Sequence, residues 1–354
     1  MKRIKIGLIG LLNAHACWNF ESILKLKDKF DFVGMCPDYT NDDEMSRGQM
    51  SADGIKLRLE GIEKKFGKIP VMTLDELLNY PGLEAVAIES LEDDPVKFAL
   101  PAADKGLHIF MDKPGGQDLE AFRKLIGIMK EKNLVLSMGY MYRQNPAVQE
   151  LFRMVAGGEL GRVTCVEAHM DCDHDPQTRE WLGTFKGGMM YWLGCHLVDL
   201  ILKLQGMPDE IIPMNMCTHL DGVTAEDYGM TVFRCKNGLS FAKTSAAEYG
   251  GFMRRQLVVC GTEGTVEIKP LERYESNGNV CADMRVVTRK NDSKDGWNAL
   301  GKTVSYSIPD RYDGMLREFA EIIRGEKENP NSLDYELKLL ETVLKCSGVI
   351  PAGK

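Results

Sequence analysis

Two short stretches carry the side chains best suited to moving a proton. In "FMDKPGG" Lys113 follows an apolar run and precedes Pro114. An ammonium placed there can polarise a carbonyl, bind a hydroxyl or lower the pKa of a neighbouring acid; the plain alternative is a solvated surface lysine. In "KGGMMYWLGCHLVDLILKLQG" (186–206) His196 stands on an apolar helix that begins at a double glycine. Imidazole titrates near neutrality and can both accept and return a proton, although a histidine on such a helix can equally be a core residue. Tyr191 and Trp192 occupy the first turns and make that end of the helix a pocket wall. Trp192, His196 and Asp199 follow one another at i, i+4 and i+7, so Asp199 either orients the imidazole or caps a backbone group. A third stretch, "HMDCDHDP" (169–176), crowds His169, Asp171, Asp173, His174 and Asp175 together. Nothing in the spacing fixes a ligand geometry, so the expectation is a polar loop overhanging a polar ligand, with Asp173 facing it and no metal.

The chain opens on "KIGLIGLLNAHACWNF" (5–20), an apolar run, a turn and a helical pattern. That is the context of a phosphate-cradling turn, but the fingerprint G-x-G-x-x-G would fall on Gly10, Leu12 and His15. Of the three glycines, the one that permits the tight turn survives; the two that admit the pyrophosphate and allow close helix packing do not.

The elements that would position these groups alternate in the first third. Strands are expected at 4–12, 30–36, 69–72, 83–90, 107–114 and 134–139. Helices are expected at 14–27, at 74–79 (initiated by Thr73 and Asp75), at 95–105 and at 119–132. Strands and helices in this order predict right-handed crossovers and a parallel sheet covered on both faces. A ligand on such a sheet lies outside the carboxyl ends of its strands, which directs attention to Gly10, Leu11, Leu12 and Asn13, to Cys36–Asp38, to Glu89, Ser90 and Leu91, and to Met111–Pro114.

Beyond residue 145 the pattern changes. Asn145 and Pro146 read as N-cap and first residue of a helix to Ala156. Strands follow at 163–170, 211–217, 228–234, 239–246, 256–260 and 265–269, with hairpin signals at "KNG" and "GTEG". One long helix, 189–204, interrupts them, and helices at 313–324 and 333–346 close the chain. The charged stretch 272–302 reads as an exposed excursion. The expected fold class is α/β plus α+β: a first domain over 1–140, and a second over 141–354 with an open, mainly antiparallel sheet.

At 354 residues the chain is long enough for two domains, and its 44% hydrophobic and 27% charged residues are those of an ordinary globular protein. A net charge of −8 without a long basic run argues against nucleic acid and anionic membranes as partners. No apolar stretch reaches the roughly 20 residues of a membrane span, and the Lys2–Arg3 start lacks a nearby cleavage site. Ten scattered cysteines without a C-x-x-C pair suggest reduced thiols in a cytoplasm.

Several of these pieces coincide in order. The strand–turn–helix start, "MDKP", "GYMYRQNPAV" (139–148), "GELGRV" (158–163), "GGMMYWLGCHLVDL" and "YDGMLREFAEIIRG" together make the chain resemble the Gfo/Idh/MocA family of NAD(P)-dependent oxidoreductases over nearly its whole length. The resemblance implies a Rossmann-type first domain binding NAD, and a second domain that binds substrate and mediates oligomers. It implies that Lys113 contacts the nicotinamide ribose and the substrate, and that His196 is the acid/base facing the reacting hydroxyl, the hydroxyl lying between the two domains. Tyr142, Arg143 and Asn145 would approach nicotinamide or substrate, and Tyr191 and Trp192 would line the substrate pocket. Asp38 would take the adenosine ribose, with Glu89–Leu91 and Asp112 beside the cofactor. Where the family has E-K-P the chain has Asp112 for Glu, and Trp192 replaces an aspartate one turn before the histidine. The implied reaction is hydride transfer between nicotinamide and a secondary alcohol of a carbohydrate or polyol. Within the family's range, a redox-assisted NAD-dependent glycosidase and a non-catalytic nucleotide or sugar sensor stay open.

Acids crowd the end of the second strand, "CPDYTNDDE", with Asp38, Asp42, Asp43 and Glu44 ahead of the first base, Arg47. Carboxylates accept from a ribose diol and repel a 2′-phosphate, so NAD is expected over NADP. Apolar alternation through Met230, Val232 and Phe241 leaves one sheet face to be covered by a second copy, predicting a homodimer or homotetramer.

Overall fold

The computed structural model describes residues 2–37, 48, 51–292 and 296–352. The contacts of the chain divide it into two compact units, one of residues 1–140 and 312–341, the other of 141–311 and 342–354.

The first unit is built on a five-stranded, all-parallel sheet in the order β2-β1-β3-β4-β5. Its strands are β1 (Ile4–Ile9), β2 (Phe30–Cys36), β3 (Ala85–Ile88), β4 (His108–Met111) and β5 (Leu136–Met138). All four residues of β3, "AVAI", are buried, the continuous apolar run that a strand covered on both faces requires. Helices α1 (Ala16–Lys25), α2 (Ala52–Phe66), α3 (Leu74–Leu78), α4 (Val96–Asp104) and α5 (Leu119–Glu131) supply the crossovers. Late in the chain α9 (Asp313–Ile323) returns to this unit. Its Met315, Leu316 and Phe319 are buried, and it packs on α1 and β4. The helix α10 (Leu333–Cys346) carries the chain from one unit to the other.

Two local expectations need correction here. The segment 69–72 is not a strand but a single parallel bridge, Val71 to Met35, because Pro70 offers its carbonyl to Met35 and has no N–H to extend a ladder. The helix α2 was not anticipated; Ser51 caps it by accepting from Gly54 N at 3.1 Å, and it buries only Ile55 and Ile62, too narrow an apolar stripe to announce itself. The α3 start follows expectation: Thr73 and Glu76 form a reciprocal capping box, Thr73 N donating to Glu76 Oε2 at 2.8 Å and Glu76 N to Thr73 Oγ1 at 3.3 Å.

The second unit holds a nine-stranded sheet. Its strands are β6 (Val163–Asp171), β7 (Glu210–Met216), β8 (Tyr228–Cys235), β9 (Gly238–Ser245), β10 (Gln256–Gly261), β11 (Gly264–Ile268), β12 (Arg273–Tyr274), β13 (Val280–Thr288) and β14 (Lys302–Ile308). The order is β12-β13-β11-β10-β6-β9-β8-β7, with β14 on β13, and every pair is antiparallel except β6–β9. The helices α6 (Pro146–Ala156) and α8 (Cys195–Gln205) pack on one face, α6 over β11, β13 and β14 and α8 over β6 and β9; the short α7 (Pro176–Trp181) follows β6.

The stretch 272–302 meets the expectation of an exposed excursion only in part. Residues 273–274 and 280–288 are sheet: β13 buries Cys281, Ala282 and Met284, and its charged residues are paired across strands, Arg285 with Glu267 at 2.7 Å and Asp283 with Arg273 at 2.9 Å, whereas Trp297 and Leu300 farther on are 95% and 78% exposed. Charge density on a strand face was misread as exposure. The long helix at 189–204 also differs: Met190–Gly194 is a π-helical turn, and the α-helix begins only at Cys195.

Candidate active site

In the first unit the turn after β1 is held tightly. Gly10 has φ +93°, and a Cβ there would lie 2.7 Å from the backbone of Glu89 and Ser90, so only glycine fits. Leu11 and Leu12 are fully buried. Asn13 N donates to the Glu89 carbonyl at 3.2 Å, and its Oδ1 accepts from His15 N at 2.8 Å. His15, at the third fingerprint position, lies 3.2 Å from the Asp112 carboxylate. The first turn of α1 has neither an acidic residue nor a side-chain cap, which suits an anion at its amides.

At the carboxyl ends of β3 and β4 lie Glu89, Ser90, Leu91, Asp112 and Lys113, all buried; Lys113 is 2% exposed. Glu89 Oε1 accepts from Asn19 Nδ2 at 2.9 Å. Its other carboxyl oxygen and the Ser90 hydroxyl are buried with no hydrogen-bond partner among the described residues. Glu92 joins this group, and burial, opposed by the Lys113 ammonium, pushes its carboxyl up to about 8. A close-fitting glycine turn and orphaned polar atoms at adjacent strand ends fit the demands of a dinucleotide. Asp38, with Asp42, Asp43, Glu44 and Arg47, lies outside the described residues.

The second unit gathers its own cluster around His196. The imidazole is 2% exposed and stands edge-on to the Tyr142 ring, with centroids 5.2 Å apart at 85°. Tyr142 O–H donates to Glu272, which also takes Arg255 at 2.9 Å and Arg311 at 2.7 Å. Burial, and then the Glu272 charge, hold the Tyr142 hydroxyl far above its usual range. Arg143 makes a two-toothed pair with Asp199, at 2.9 and 2.8 Å. Both ends of the Asn145 amide are engaged: Nδ2 donates to the Leu271 carbonyl at 3.0 Å, and Oδ1 accepts from Ala147 N at 3.0 Å, the expected N-cap.

The π turn sets the aromatic residues. Trp192 is flanked by Trp181 and His174, with centroids 5.4 and 5.5 Å away. Tyr191 packs on Phe185 at 5.4 Å. Gly188 lets the chain pass close to the Glu226 backbone, and Gly194 leaves room for the Met190 side chain. Asp173 is exposed and its residue bridges to Ala247. Its neighbours are otherwise occupied: Asp171 lies 3.0 Å from Lys243, and Asp175 caps α7 by accepting from Thr178 N at 2.9 Å. Among the described residues no three His, Cys, Asp or Glu side chains are grouped to hold a metal ion.

Glu272, Arg255 and Arg311 do not stand out in the sequence, because Glu272 opens the stretch read as an excursion and the two arginines fall between expected elements. Glu92 was overlooked although its signal was available: a second acid three residues after Glu89, at the end of an apolar strand.

The chain's residues 148–267 match the model of the GFO/IDH/MocA C-terminal domain. It is 30% identical to the oxidoreductase ORF334 of Rhizobium meliloti, over 80% of this chain and 81% of that one. It is likewise 30% identical to the scyllo-inositol 2-dehydrogenase (NAD(+)) of Bacillus subtilis (strain 168), over 78% of each chain. Its fold is similar to that of the WlbA dehydrogenase from Bordetella pertussis, solved in complex with NADH and UDP-GlcNAcA, with a TM-score of 0.74 at 17% identity over 97% of this chain and 94% of that one. A glycine turn before a helix on a parallel sheet, a lysine at the end of its fourth strand, a histidine on the helix of an open antiparallel sheet, and relatives of this kind along most of its length place the chain in the Gfo/Idh/MocA family of oxidoreductases.

Proposed function

We propose that the protein is a cytoplasmic NAD-dependent dehydrogenase acting on a secondary alcohol of a sugar, polyol or related hydroxylated compound. The observation that carries the reading is Lys113, an ammonium buried among carboxyls at the carboxyl end of a parallel strand. A buried cation costs several kcal/mol unless neighbours offset it, and its position suits a hydroxyl that develops negative charge.

Gly10, Leu11, Leu12 and Asn13 would form the pyrophosphate turn, Asp38 would accept from the adenosine ribose, and Glu89, Ser90, Leu91 and Asp112 would line the nicotinamide end. When bound, the cofactor supplies the hydride acceptor. Lys113 stabilises the developing alkoxide and His196 takes the hydroxyl proton. Arg143, held by Asp199, would lend its positive charge to the cofactor side from a fixed position. Tyr142, Asn145, Asp173, Tyr191 and Trp192 would shape the substrate pocket, the indole of Trp192 presenting an apolar surface in place of a carboxylate. The relative named as an NAD(+)-dependent inositol dehydrogenase supports both the cofactor and the polyol class.

Fluorescence titrations should show NADH bound more tightly than NADPH, and a panel of sugars and polyols should include one that yields net NADH. Release of a glycone without net NADH would identify the redox-assisted glycosidase instead, and tight binding without turnover a sensor.

The same reading extends to assembly. On the face of the second unit's sheet away from α6 and α8, Ile212, Val232 and Phe241 line up across β7, β8 and β9, with Met214 beside Met230 in another row. Ile212, Met214 and Met216 are 39%, 47% and 54% exposed, an apolar face that a second copy would cover. Light scattering at micromolar concentration should give a dimeric or tetrameric mass; a monomer would remove this part of the proposal.

A further inference from the structure

Among the described residues, acid outnumbers base at the ends of β3 and β4. Glu89, Glu92 and Asp112 are all buried there, and the ammonium placed among them is that of Lys113. The groups facing the two glutamates come from several elements: Cys17 and Asn19 from α1, Asp93 from their own loop, and Asp112 and Lys113 from the end of β4. His15 stands against Asp112 from the glycine turn. Three carboxylates around one ammonium would leave net negative charge in a desolvated place, so burial favours the neutral carboxyl. Both glutamates respond that way, Glu92 rising to about 8 and Glu89 well above the usual carboxylate range. Asn19 satisfies one Glu89 oxygen, and the other is orphaned.

A dinucleotide with its pyrophosphate on the Gly10 turn and its adenosine ribose at the end of β2 must extend its other half over β3 and β4. Oxidised nicotinamide carries a positive charge on the ring and reduced nicotinamide does not, while the phosphates of the two forms are alike. Resting on the reading of this unit as a nicotinamide site, we infer that the Glu89–Glu92 pair senses the redox state of the cofactor by ionising when NAD+ binds and keeping its proton when NADH binds. The step balances simply: one carboxyl O–H breaks, the proton passes to solvent, and the carboxylate left behind faces the cationic ring. NAD+ affinity then rises with pH until the free protein has itself lost the proton, near and above pH 8, and NADH affinity stays flat. The sign follows because the group's pKa is high in the free protein and lower in the NAD+ complex. One proton released corresponds to a slope of about tenfold in affinity per pH unit.

Calorimetric titrations of the full chain at pH 7, with NAD+ and with NADH in buffers of different ionisation enthalpy, count the protons directly. The expected result is a release approaching one proton per NAD+ and none per NADH. In the doubly substituted Glu89→Gln, Glu92→Gln chain the NAD+ release should vanish, and NAD+ binding should weaken more than NADH binding. Equal proton counts for the two forms in the wild-type chain overturn the proposal and leave the dehydrogenase reading standing. So does full release retained in the double variant, which would assign the proton to His15. Binding of neither form overturns both readings, and the wild-type titrations decide between these outcomes without any variant.

Discussion

Replacing His196 by alanine should slow turnover by about 10²- to 10⁴-fold, the range for loss of a positioned acid/base, with NADH affinity nearly unchanged. The surroundings of the imidazole make it the group that moves the proton. Tyr142, edge-on to it, is kept protonated by burial and by Glu272, so its hydroxyl cannot accept one near neutral pH. Arg143 is committed to Asp199 through two hydrogen bonds, and a guanidinium does not release a proton in this range. That leaves the imidazole of His196 as the side chain of the cluster whose chemistry lets it accept and return a proton. Steady-state rates with any substrate that yields NADH measure the effect. Turnover at the wild-type rate in the alanine variant would make His196 a core residue and end the mechanism.

Substituting Asp199 by alanine should cost about 3–5 kcal/mol of folding stability, the penalty for leaving one member of a buried ion pair unmatched. The side chains of Arg143 and Asp199 are 7% and 1% exposed, so the guanidinium has little access to water in compensation. The chain between the two residues includes β6 and the π turn, and their pairing ties the 3₁₀ turn at Met141–Gln144 to α8. Urea unfolding of the two proteins measures the difference. Removing both charges together, as Arg143→Met with Asp199→Leu, should recover much of the loss, since well-packed apolar pairs replace buried ion pairs at little cost. A loss below about 1 kcal/mol for the single variant would place the pair among solvent-screened bridges instead.

How far these features could be read in advance depended on how local their causes are. The five parallel strands and their helices are legible because each buried strand is a largely apolar run and helices such as α3 and α5 begin on a capping residue; Thr73 and Asn145 do in the structure what their positions announce. The strand at 69–72 was over-read because its apolar residues look like a core strand while Pro70 denies them a ladder. The β13 region was under-read because its charges are neutralised by residues on other strands, Glu267 among them, a long-range fact that no window of sequence contains. Lys113 and His196 stood out by residue type and context. Glu272 and its two arginines did not, since what brings them to Tyr142 is sheet order.

The π turn at Met190–Gly194 carries a lesson about how aim is encoded. Successive residues of an α-helix point about 100° apart, so one surplus residue in that turn re-sets the direction of everything after it. His196 therefore faces Tyr142 on account of a residue count as much as of any side chain. A survey of substitutions through this segment would pass over that information, because no single replacement changes the count. It resides in the number of residues between the double glycine and the histidine, and relatives that share the histidine but differ by one residue in that interval would point it elsewhere.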